Sequence, residues 1–577
     1  MNDSFLSRSK SSRVLVYLTV LWLQSSAAMS AAMISQTLSP REIFRRTASQ
    51  WSGDIFLLPK YGNTTLESWE FDPKHWQSSS ISGKTIPPHP MTMHGIAWDY
   101  DLHIPIVLFD PTGKFLKHGE YKRLAVQQDI VPTLAKVLDI PAPAKAGGRV
   151  LEEALQNAQK VQNVSTRPLP KVIIIFIQDQ VGRHYYAAHK GKAPFYESLH
   201  KRGANFVNAS VAHVDVETSV GHASIGTGAW PAEHGVAGNR FFHAGLWRQL
   251  SSFTVEFNSL DPFKKKNPSL FFSPTFSDVW SVSRGGKPVI LSVAPVARAA
   301  ISVGGHGGLF AGGSKSYITW TEENGGDGTW TTETETYRMP NAFKGKSALA
   351  WVKNLVGEKR QWMGHELIDK DGKVHSRNLL GSPALVRQQG DLTRDAIDEL
   401  RIGEDGETDL LWFNTKSTDY CGHFYGYESD ECGEVLSAAD DEARKISELI
   451  DRKTNGNYLV VLTADHGAAR LPELSGAYRV DRVKLKAELN SKFDKRDNNI
   501  DVVQVITVSQ IYLNHGELKA NGFKISDIVN FLKAYKAKME FPYNALAADW
   551  LKKGKPREAL FFEDVVDRAS LSKQSKR

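Results

Sequence analysis

Three apolar runs rich in β-branched residues constrain the fold of this chain more than any other feature. The runs are Lys171–Ile177, Asp409–Asn414 and Tyr458–Thr463. Apolar runs without alternation are typical of strands buried on both faces of a parallel sheet. A helical pattern, SAADDEARKISELIDRK, precedes the third run. Alternation of strand and helix predicts an α/β fold with a doubly wound, mostly parallel central sheet and helices on both faces.

Each apolar run is followed by side chains that can bind a metal ion. Asp179 follows the first run, Asp419 and His423 follow the second, and Asp465 and His466 follow the third. Ligands of open α/β sheets bind beyond the carboxyl ends of the strands, so we expect these side chains to meet at one edge. Carboxylates and imidazoles together favour zinc or a similar divalent ion.

A candidate nucleophile, Thr218, lies between the first two runs in the segment ETSVGHASIGTG. A hydroxyl beside such ions can be deprotonated near neutral pH and can attack phosphorus. The segment also reads as a helix start, where an alkoxide or phosphate would be stabilised. A threonine there could equally be an N-cap, and Ser219 is a second, weaker hydroxyl candidate. We predict a two-metal phosphoester hydrolase with Thr218 as nucleophile.

Four segments resemble the alkaline phosphatase superfamily, in the branch with a threonine nucleophile. They are IQDQVGRHYY, TSVGHASIGTGAWPAEHGVAGN, STDYCGHFYG and LTADHGAA. That branch includes the single-domain bacterial alkaline phosphatases and the nucleotide pyrophosphatase/phosphodiesterases. The resemblance implies an alkaline-phosphatase-like fold, two Zn²⁺ or similar divalent ions, and a small-molecule phosphate ester as substrate. It also implies that Asp419, His423 and a third histidine hold one ion, and that Asp179, Asp465, His466 and Thr218 hold the other.

The resemblance also assigns residues that would contact the phosphoryl group. Asn239 aligns with a donor to a phosphoryl oxygen, although asparagine after glycine is also an ordinary turn residue. Arg298 aligns with the arginine of a Lys-x-Arg pair, although arginine is mostly exposed, and Val296 stands at the lysine position. A monoester dianion benefits more from two cations than a diester monoanion does. The sequence therefore favours phosphodiesterase slightly over alkaline phosphomonoesterase activity. His222 and His234 are expected to be structural.

The third histidine is predicted from a block that is out of its usual order. Only His515 follows His466, and its context does not match. The text HGIAWDYDLHIPIVLFDPTGKF, followed by AVQQDIVPTLAKVLDI, resembles the C-terminal block of the superfamily. We predict a circular permutation, which exposed and neighbouring termini allow. In it, residues 38–157 form the displaced block, 158–170 a linker and 171–577 the main core. His103 is then the third ligand, in a strand antiparallel to its neighbours or reached through a loop.

Two further features concern the main core. Residues from about 240 to 400 are rich in Gly, Trp and Tyr and interrupt the strand–helix alternation, which predicts an inserted cap over the site. Cys421 and Cys432 could pair in an exported protein or remain two buried thiols. Because a thiolate can bind zinc, Cys421 is also a minor ligand candidate.

The first 32 residues are typical of a secretory signal peptide. Three basic residues precede the apolar run VLVYLTVLWL, and the small residues SSAAMSAA follow it. The run is shorter than the ~20 residues of a membrane-spanning helix, although an uncleaved anchor would share this pattern. We predict export to the periplasm or secretion, with no stable membrane span after cleavage. The net charge of +7 is scattered, which argues against binding of nucleic acid duplexes; the oligomeric state stays open.

Two other functions fit part of the pattern. Sulfatases use the same scaffold, but they need a C/S-x-P-x-R motif, and TSVGH lacks both the proline and the arginine. An inactive phosphate- or nucleotide-binding module is the alternative from another class. It would have no need of an activated hydroxyl, so the complete set of ligand positions argues against it.

Overall fold

The computed structural model describes residues 38–156, 169–243, 248–253, 266–310, 312–321 and 326–573 of the 577-residue chain. The predicted signal peptide at residues 1–32 and most of the predicted linker at 158–170 lie outside the described residues. Within the described ranges, no helix is both long enough and apolar enough to cross a membrane.

A nine-stranded mixed sheet forms the centre of the described structure. Its strands are β1 (Ile106–Phe109), β2 (Gly119–Tyr121), β3 (Val172–Ile177), β4 (Ala204–Phe206), β5 (Val289–Val293), β6 (Lys315–Thr321), β7 (Trp330–Thr331), β8 (Asp409–Asn414) and β9 (Tyr458–Thr463). Their order is β7-β6-β5-β8-β3-β9-β1-β4-β2. The five strands from β6 to β9 in this order are mutually parallel, and β1 is antiparallel to β9.

The three apolar runs form the middle of this sheet, as predicted. Strand β3 lies between β8 and β9, and Ile175 is in register with Trp412 on one side and Val461 on the other. Alternate residues of β3 enter two separate cores: Ile174 belongs to one and Ile175 to the other. Because both faces are covered, every residue of β3, β8 and β9 is buried, which explains why these runs lack alternation.

Helices cover both faces of the sheet. Those of at least eight residues within the described ranges are α1 (Pro40–Thr47), α2 (Ile130–Leu138), α3 (Pro194–Arg202), α4 (Thr218–Thr227), α5 (Phe276–Ser283), α6 (Ala297–Gly304), α7 (Leu349–Val356), α8 (Pro383–Glu399), α9 (Ser417–Tyr425), α10 (Asp430–Thr454), α11 (Arg482–Phe493) and α12 (Ile525–Lys533). Helices α3, α7, α8 and α10 contribute to the core on one face, and α2, α4 and α5 contribute to the core on the other.

Smaller elements surround the central layers. A four-stranded antiparallel sheet has the order Val503–Ile506, Gln510–Leu513, Ile55–Pro59 and Phe562–Asp567. Paired short strands are Thr64–Leu66 with Arg479–Asp481, Gln77–Ile81 with Lys84–His89, Ala125–Val126 with Ala209–Ser210, Arg240–His243 with Arg248–Ser251, Gln361–Trp362 with His365–Glu366, and Lys536–Lys538 with Glu558–Leu560. Short helices are Asp99–Leu102, Arg183–Ala188, Pro231–His234, Ser376–Leu380, Pro472–Ser475, His515–Ala520, Ala547–Lys552 and Arg568–Lys573.

The early part of the chain contributes to both sheets. Strand β1, from the predicted displaced block, lies beside β9 and runs antiparallel to it, in the direction expected for the strand after His103. Strand Ile55–Pro59 pairs with Phe562–Asp567 from the end of the chain. Nearby, Arg41 Nε lies 2.9 Å from Asp564 Oδ2. The first and last described segments are therefore in direct contact.

The expectation of a cap at about 240–400 needs correction. Strands β5, β6 and β7 fall in this range, and β5 and β6 extend the parallel part of the central sheet. Helix α8, also in this range, packs its buried side against the same core as β8. The connecting segments are rich in glycine and aromatic residues, so the alternation of strands and helices was not recognised in this part of the sequence.

Candidate metal centre and active site

Five side chains from the ends of β3, β8 and β9 lie together at the carboxyl edge of the sheet. His466 Nε2 lies 3.2 Å from Asp465 Oδ2 and 3.7 Å from Asp179 Oδ1. His423 Nε2, from helix α9, lies 3.3 Å from Asp419 Oδ1. All five side chains are buried. Within the described part of the chain, three groups have ligand atoms within 4.8 Å of one another: His94–Asp419–His423, Asp179–Asp419–His466 and Asp179–His222–Asp465.

The third histidine of this cluster is His94, and the prediction of His103 is wrong. His94 Nε2 lies 3.4 Å from Asp419 Oδ1, and its ring stacks on that of His466 at 3.6 Å between centroids. His103 ends the short helix Asp99–Leu102 and lines a separate surface cavity with Leu38 and Trp98. His515 is also elsewhere, with Nε2 2.8 Å from Asp54 Oδ1.

A turn in the early part of the chain, within the predicted displaced block, positions His94. The Asp101 carboxylate accepts hydrogen bonds from the backbone N–H groups of Gly95 and Ile96, at 2.9 and 2.8 Å. The backbone N–H of Gly467, directly after His466, donates to the Asp101 carbonyl at 2.8 Å. The turn that carries His94 is therefore tied to the segment that carries His466. This connection depends on Gly467, because a Cβ there would meet the Tyr100 carbonyl oxygen at 2.0 Å.

The three clustered imidazoles share one hydrogen-bond arrangement. Nδ1 of His94, His423 and His466 lies 2.7, 2.7 and 3.0 Å from the carbonyl oxygens of Val216, Thr92 and Gly467. A carbonyl only accepts, so each Nδ1 carries a proton, and the neutral form of each ring therefore has its lone pair on Nε2. This is the arrangement by which proteins orient histidine ligands of metal ions.

The donor set fits a divalent metal ion. In the described structure, Asp465 Oδ2 and His466 Nε2 are buried atoms without a hydrogen-bond partner, although they lie only 3.2 Å apart. Two buried acceptors at this distance need a shared cation. Three carboxylates and three imidazoles are donors that suit zinc and similar ions.

Burial and mutual charge shift the titration of these groups. Burial lowers the pKa of His466 to about 3, although the negative charge of Asp465 opposes this shift. The imidazole of His466 is therefore neutral and able to bind a cation. Burial and the neighbouring charge of Asp465 raise the pKa of Asp179 well above its usual value. Burial opposes ionisation of Asp419, but His423 and Lys416 outweigh it and hold the pKa of Asp419 well below its usual value.

Thr218 lies in this cluster as the first residue of α4. Its side chain is buried, and the N-cap is Glu217, so Thr218 does not cap the helix. The backbone N–H of Ser219 donates to Asn239 Oδ1 at 3.0 Å. Gly221 lets the helix approach the ligands, because a Cβ there would meet the Asp465 carbonyl oxygen at 2.7 Å.

Sequence reasoning missed Lys416, which contacts three of the predicted site residues. Its Nζ lies 2.9 Å from Asp179 Oδ1, 2.7 Å from Thr218 Oγ1 and 2.6 Å from Asp419 Oδ2. Burial lowers the pKa of Lys416, but the charges of Asp179 and Asp419 outweigh burial and raise it. The sequence did contain a signal for it. Lys416 stands between a buried strand and the candidate ligand Asp419, where a solvent-exposed charge is not expected.

Asn239 and Arg298 line a cavity of about 270 Å³. Because Asn239 Oδ1 already accepts from Ser219, the amide group is oriented with Nδ2 as a donor. Val296 is buried in an apolar cluster with Val220 and Ala297.

The remaining candidates are arranged as follows. His222 Nδ1 lies 2.9 Å from the Thr218 carbonyl oxygen, and its Nε2 lies 2.8 Å from Asn414 Nδ2. Both ring nitrogens thus have protein partners, although Asp179 and Asp465 are within ligand distance. Buried His234 contacts Ser224. Cys421 and Cys432 are buried free thiols, and neither belongs to a ligand group among the described residues.

The fold and site define an α/β protein with a buried cluster of candidate metal ligands beside a threonine, and comparison with known proteins extends this description. The structure resembles the crystal structure of wild-type alkaline phosphatase PafA with a TM-score of 0.53 and 20% identity, over 69% of this chain and 84% of that one. This similarity confirms the predicted alkaline-phosphatase-like fold.

Sequence relatives agree with the structural comparison. Alkaline phosphatase PafA of Elizabethkingia meningoseptica is 25% identical over 421 residues, which are 67% of this chain and 76% of that protein. Alkaline phosphatase PhoV of Synechococcus elongatus is 26% identical over 332 residues, which are 52% of this chain and 60% of that protein.

The family itself follows from a longer match. The sequence model of type I phosphodiesterase / nucleotide pyrophosphatase matches residues 173–567. The chain therefore belongs to the type I phosphodiesterase / nucleotide pyrophosphatase family, within the alkaline phosphatase superfamily, as the sequence predicted.

Proposed function

We propose that this protein is a metal-dependent phosphoric ester hydrolase that acts through a covalent phospho-threonine at Thr218. The main support is the convergence of three Nε2 atoms and three carboxylates on one buried site that also contains the Thr218 hydroxyl. A binding module would not need an alcohol oxygen in such a cluster. Membership of a phosphodiesterase family and relatives named as phosphatases support the same reaction class.

Two groups of residues would hold the metal ions, which we propose to be two Zn²⁺ or similar ions. The first group is His94, Asp419 and His423; the second is Asp179, Asp465, His466 and the Thr218 oxygen. Ions in such positions supply Lewis acidity and stabilise charge during an in-line displacement at phosphorus.

The residues of the chain itself account for attack and positioning. Thr218 Oγ1 forms the new bond to phosphorus while the ester bond breaks, and the leaving group departs with a proton as the alcohol. Water then breaks the Thr218–phosphorus bond and releases phosphate or a monoester. We propose that Asn239 Nδ2 and the Arg298 guanidinium bind phosphoryl oxygens from the cavity that both residues line. Preorganised donors of this kind act where negative charge develops.

The preference between diesters and monoesters rests on Val296. With buried Val296 in place of a lysine, Arg298 supplies the cation of this pair by itself. We therefore favour phosphodiesterase activity slightly, with alkaline phosphomonoesterase activity as the alternative. The names of the sequence relatives favour that alternative, and the ratio of turnover on bis-aryl and mono-aryl phosphates decides between them.

We also propose that the protein is exported and that its chain is circularly permuted. Export rests on the signal-like sequence of the first 32 residues. Permutation rests on the early block that provides His94 and β1, and on the contact between the two described ends. A permuted fold requires the original ends to be joined and the new ends to be neighbours.

The nucleophile is tested by substitution of Thr218. Thr218→Ala should reduce turnover by about 10³-fold or more, because the covalent route is lost. Thr227→Ala is a matched control in the same helix, since this buried hydroxyl donates to the Ala223 carbonyl and accepts from the backbone N–H of Ala229, away from the clustered side chains. Acid quenching followed by mass spectrometry should detect phosphate on Thr218 in the unmodified protein. Retained turnover of Thr218→Ala contradicts the proposal, and phosphate binding without turnover in the unmodified protein supports an inactive module.

A further inference from the structure

A buried lysine lies between the two groups of metal ligands. Lys416 ends the connection from β8 to α9, and its side chain is only 1% exposed. Its ammonium contacts one oxygen of Asp179, one oxygen of Asp419 and the Thr218 hydroxyl, all within 2.9 Å. It is not among the residues that line the cavity of Asn239 and Arg298. Its charge is therefore directed at the nucleophile and the ligands.

The two groups of ligands are affected differently by this lysine. Lys416 binds Asp419 through Oδ2, whereas His94 and His423 face Oδ1 of the same carboxylate. The first group therefore keeps its three ligand atoms. In the second group, by contrast, Lys416 contacts Asp179 Oδ1, the oxygen that faces His466 Nε2, and also Thr218 Oγ1.

The balance of charges in the site also indicates that the two groups of ligands bind divalent ions with different affinity. The site contains three buried carboxylates, Asp179, Asp419 and Asp465, and their charge is reduced by the ammonium of Lys416. One divalent ion then neutralises the remainder, and a second ion adds uncompensated positive charge in a buried environment. Such charge is costly unless an anion accompanies it. A second ion should therefore bind more weakly than the first.

We propose that Lys416 is a catalytic residue and a fixed cation of this site. It donates a hydrogen bond to the attacking oxygen of Thr218, and it weakens divalent-ion binding by Asp179, Asp465 and His466 relative to binding by His94, Asp419 and His423. This inference rests on the proposed function, because it takes Thr218 as the nucleophile. A charged donor at this distance stabilises negative charge on the oxygen more than a neutral donor does.

Titration of Zn²⁺ into chelator-treated protein tests the effect on the ligands. In a His94→Ala background, which disables the first group, Lys416→Met should bind Zn²⁺ about tenfold or more tightly than the background protein, because a like charge has been removed. Lys416→Gln provides a second variant in case the methionine disturbs folding. Lys416→Arg keeps the charge and should bind Zn²⁺ as weakly as the background.

A neutral donor to the same cluster provides the matched control. Gln180 Nε2 donates to Asp419 Oδ1 at 3.1 Å. Gln180→Leu removes a hydrogen bond but no charge, so it should not tighten Zn²⁺ binding in the His94→Ala background. Unchanged or weaker Zn²⁺ binding in both Lys416→Met and Lys416→Gln overturns the inference, because a merely structural lysine would leave a damaged site.

Kinetics separate this inference from the proposed nucleophile. In the chain with His94 intact, Lys416→Met should lower kcat by about 10²-fold at limiting Zn²⁺, as expected for loss of one charged donor at a reacting oxygen. Excess Zn²⁺ should restore part of this loss. If Thr218→Ala remains active, the proposed function fails whatever Lys416 does. If Thr218→Ala is inactive but Lys416→Met keeps full kcat at limiting Zn²⁺, only the role of Lys416 fails.

Discussion

Two histidines nine positions apart show how a single residue decides the composition of the site. His103 and His94 belong to the same early block, and both precede β1. The ring of His94 stacks on that of His466, whereas His103 lies at the end of a short helix beside a different cavity. The early histidine that joins the cluster therefore comes from a turn held by Asp101, and not from the entry of the strand.

The choice between these histidines leads to a direct prediction. His94→Ala should weaken Zn²⁺ binding about 10-fold or more and lower turnover, because it removes a nitrogen ligand. His103→Ala is the control from the same block and should retain both properties. Zn²⁺ titration and turnover of the purified variants provide the measurement, and an equal loss in both variants would be evidence against His94 as a ligand.

Most of this cluster could be predicted from the sequence, because the ends of buried strands can be recognised where their apolar runs stop. Asp179, Asp419 and Asp465 each follow a continuous apolar run, so their common location follows from the geometry of a parallel sheet. His94 lies in a turn without such a run, and its position depends on contacts with the distant Gly467. Lys416 was missed for another reason: a lysine in a sequence is normally read as exposed, and its burial depends on carboxylates from other elements.

At the scale of elements, the buried strands were predicted and the region from about 240 to 400 was not. Strands β3, β8 and β9 are covered on both faces, so each has a continuous apolar sequence that identifies it as a strand of a buried sheet. Strand β6 begins at Lys315 and has polar residues among its apolar ones. Its place in the sheet comes from pairing with β5. This contact is between distant parts of the chain, so the pattern of apolar and polar residues within β6 does not predict it.

One ion pair connects elements from distant parts of the chain. The guanidinium of Arg479 binds the Glu473 carboxylate through two contacts of 2.5 and 2.7 Å, and both side chains are buried. Arg479 Nη2 also donates to the Pro90 carbonyl oxygen at 3.2 Å. The pair thus joins the short helix Pro472–Ser475, the strand Arg479–Asp481 and the early segment that contains Pro90.

This pair should make stability depend on acid pH. Burial raises the pKa of Glu473, but Arg479 outweighs it and holds the pKa below its usual value. The contribution to the free energy of unfolding is therefore complete above about pH 5 and is lost as pH falls through the pKa of the folded state. Glu473→Gln should cost about 3–5 kcal/mol at pH 7, because it leaves a buried guanidinium without its counter-charge.

Urea unfolding from pH 3 to 8 measures this effect. The difference in free energy of unfolding between the unmodified protein and Glu473→Gln should shrink below about pH 5, since the native carboxylate is then protonated. Lys453→Gln is a useful comparison, because its carboxylate partners Asp398 and Glu404 are partly exposed and such pairs contribute about 0–1 kcal/mol. A difference for Glu473→Gln that is constant over this pH range contradicts the assignment.

At the scale of the whole molecule, the metal-ligand cluster should couple ion binding to global stability. Its ligands come from residues 94 to 466 and meet only in the folded chain, so an ion that binds the cluster favours the folded state. A ligand at 100 times its Kd contributes about 2.7 kcal/mol to the free energy of unfolding. Chelation should therefore lower the melting temperature and abolish turnover, and added Zn²⁺ should restore both.

Calorimetric or fluorescence melting with and without chelator tests this coupling. Asp419→Asn, which weakens a carboxylate near both groups of ligands, should show a smaller Zn²⁺-dependent shift. Turnover and melting temperature that are both indifferent to chelation would remove the basis for a metal-dependent mechanism.

The contact between the two described ends has a mechanical consequence. Arg568 donates to the carbonyl oxygens of Ser49 and Ser52, at 2.8 and 2.7 Å, and binds Asp54, while Arg41 binds Asp564. A pulling force applied across residues 38 and 573 would load this small set of polar bonds first. The pairing of Ile55–Pro59 with Phe562–Asp567 would carry the load next and would open from Ile55 and Asp567, so the two ends would separate before tension reached the central sheet.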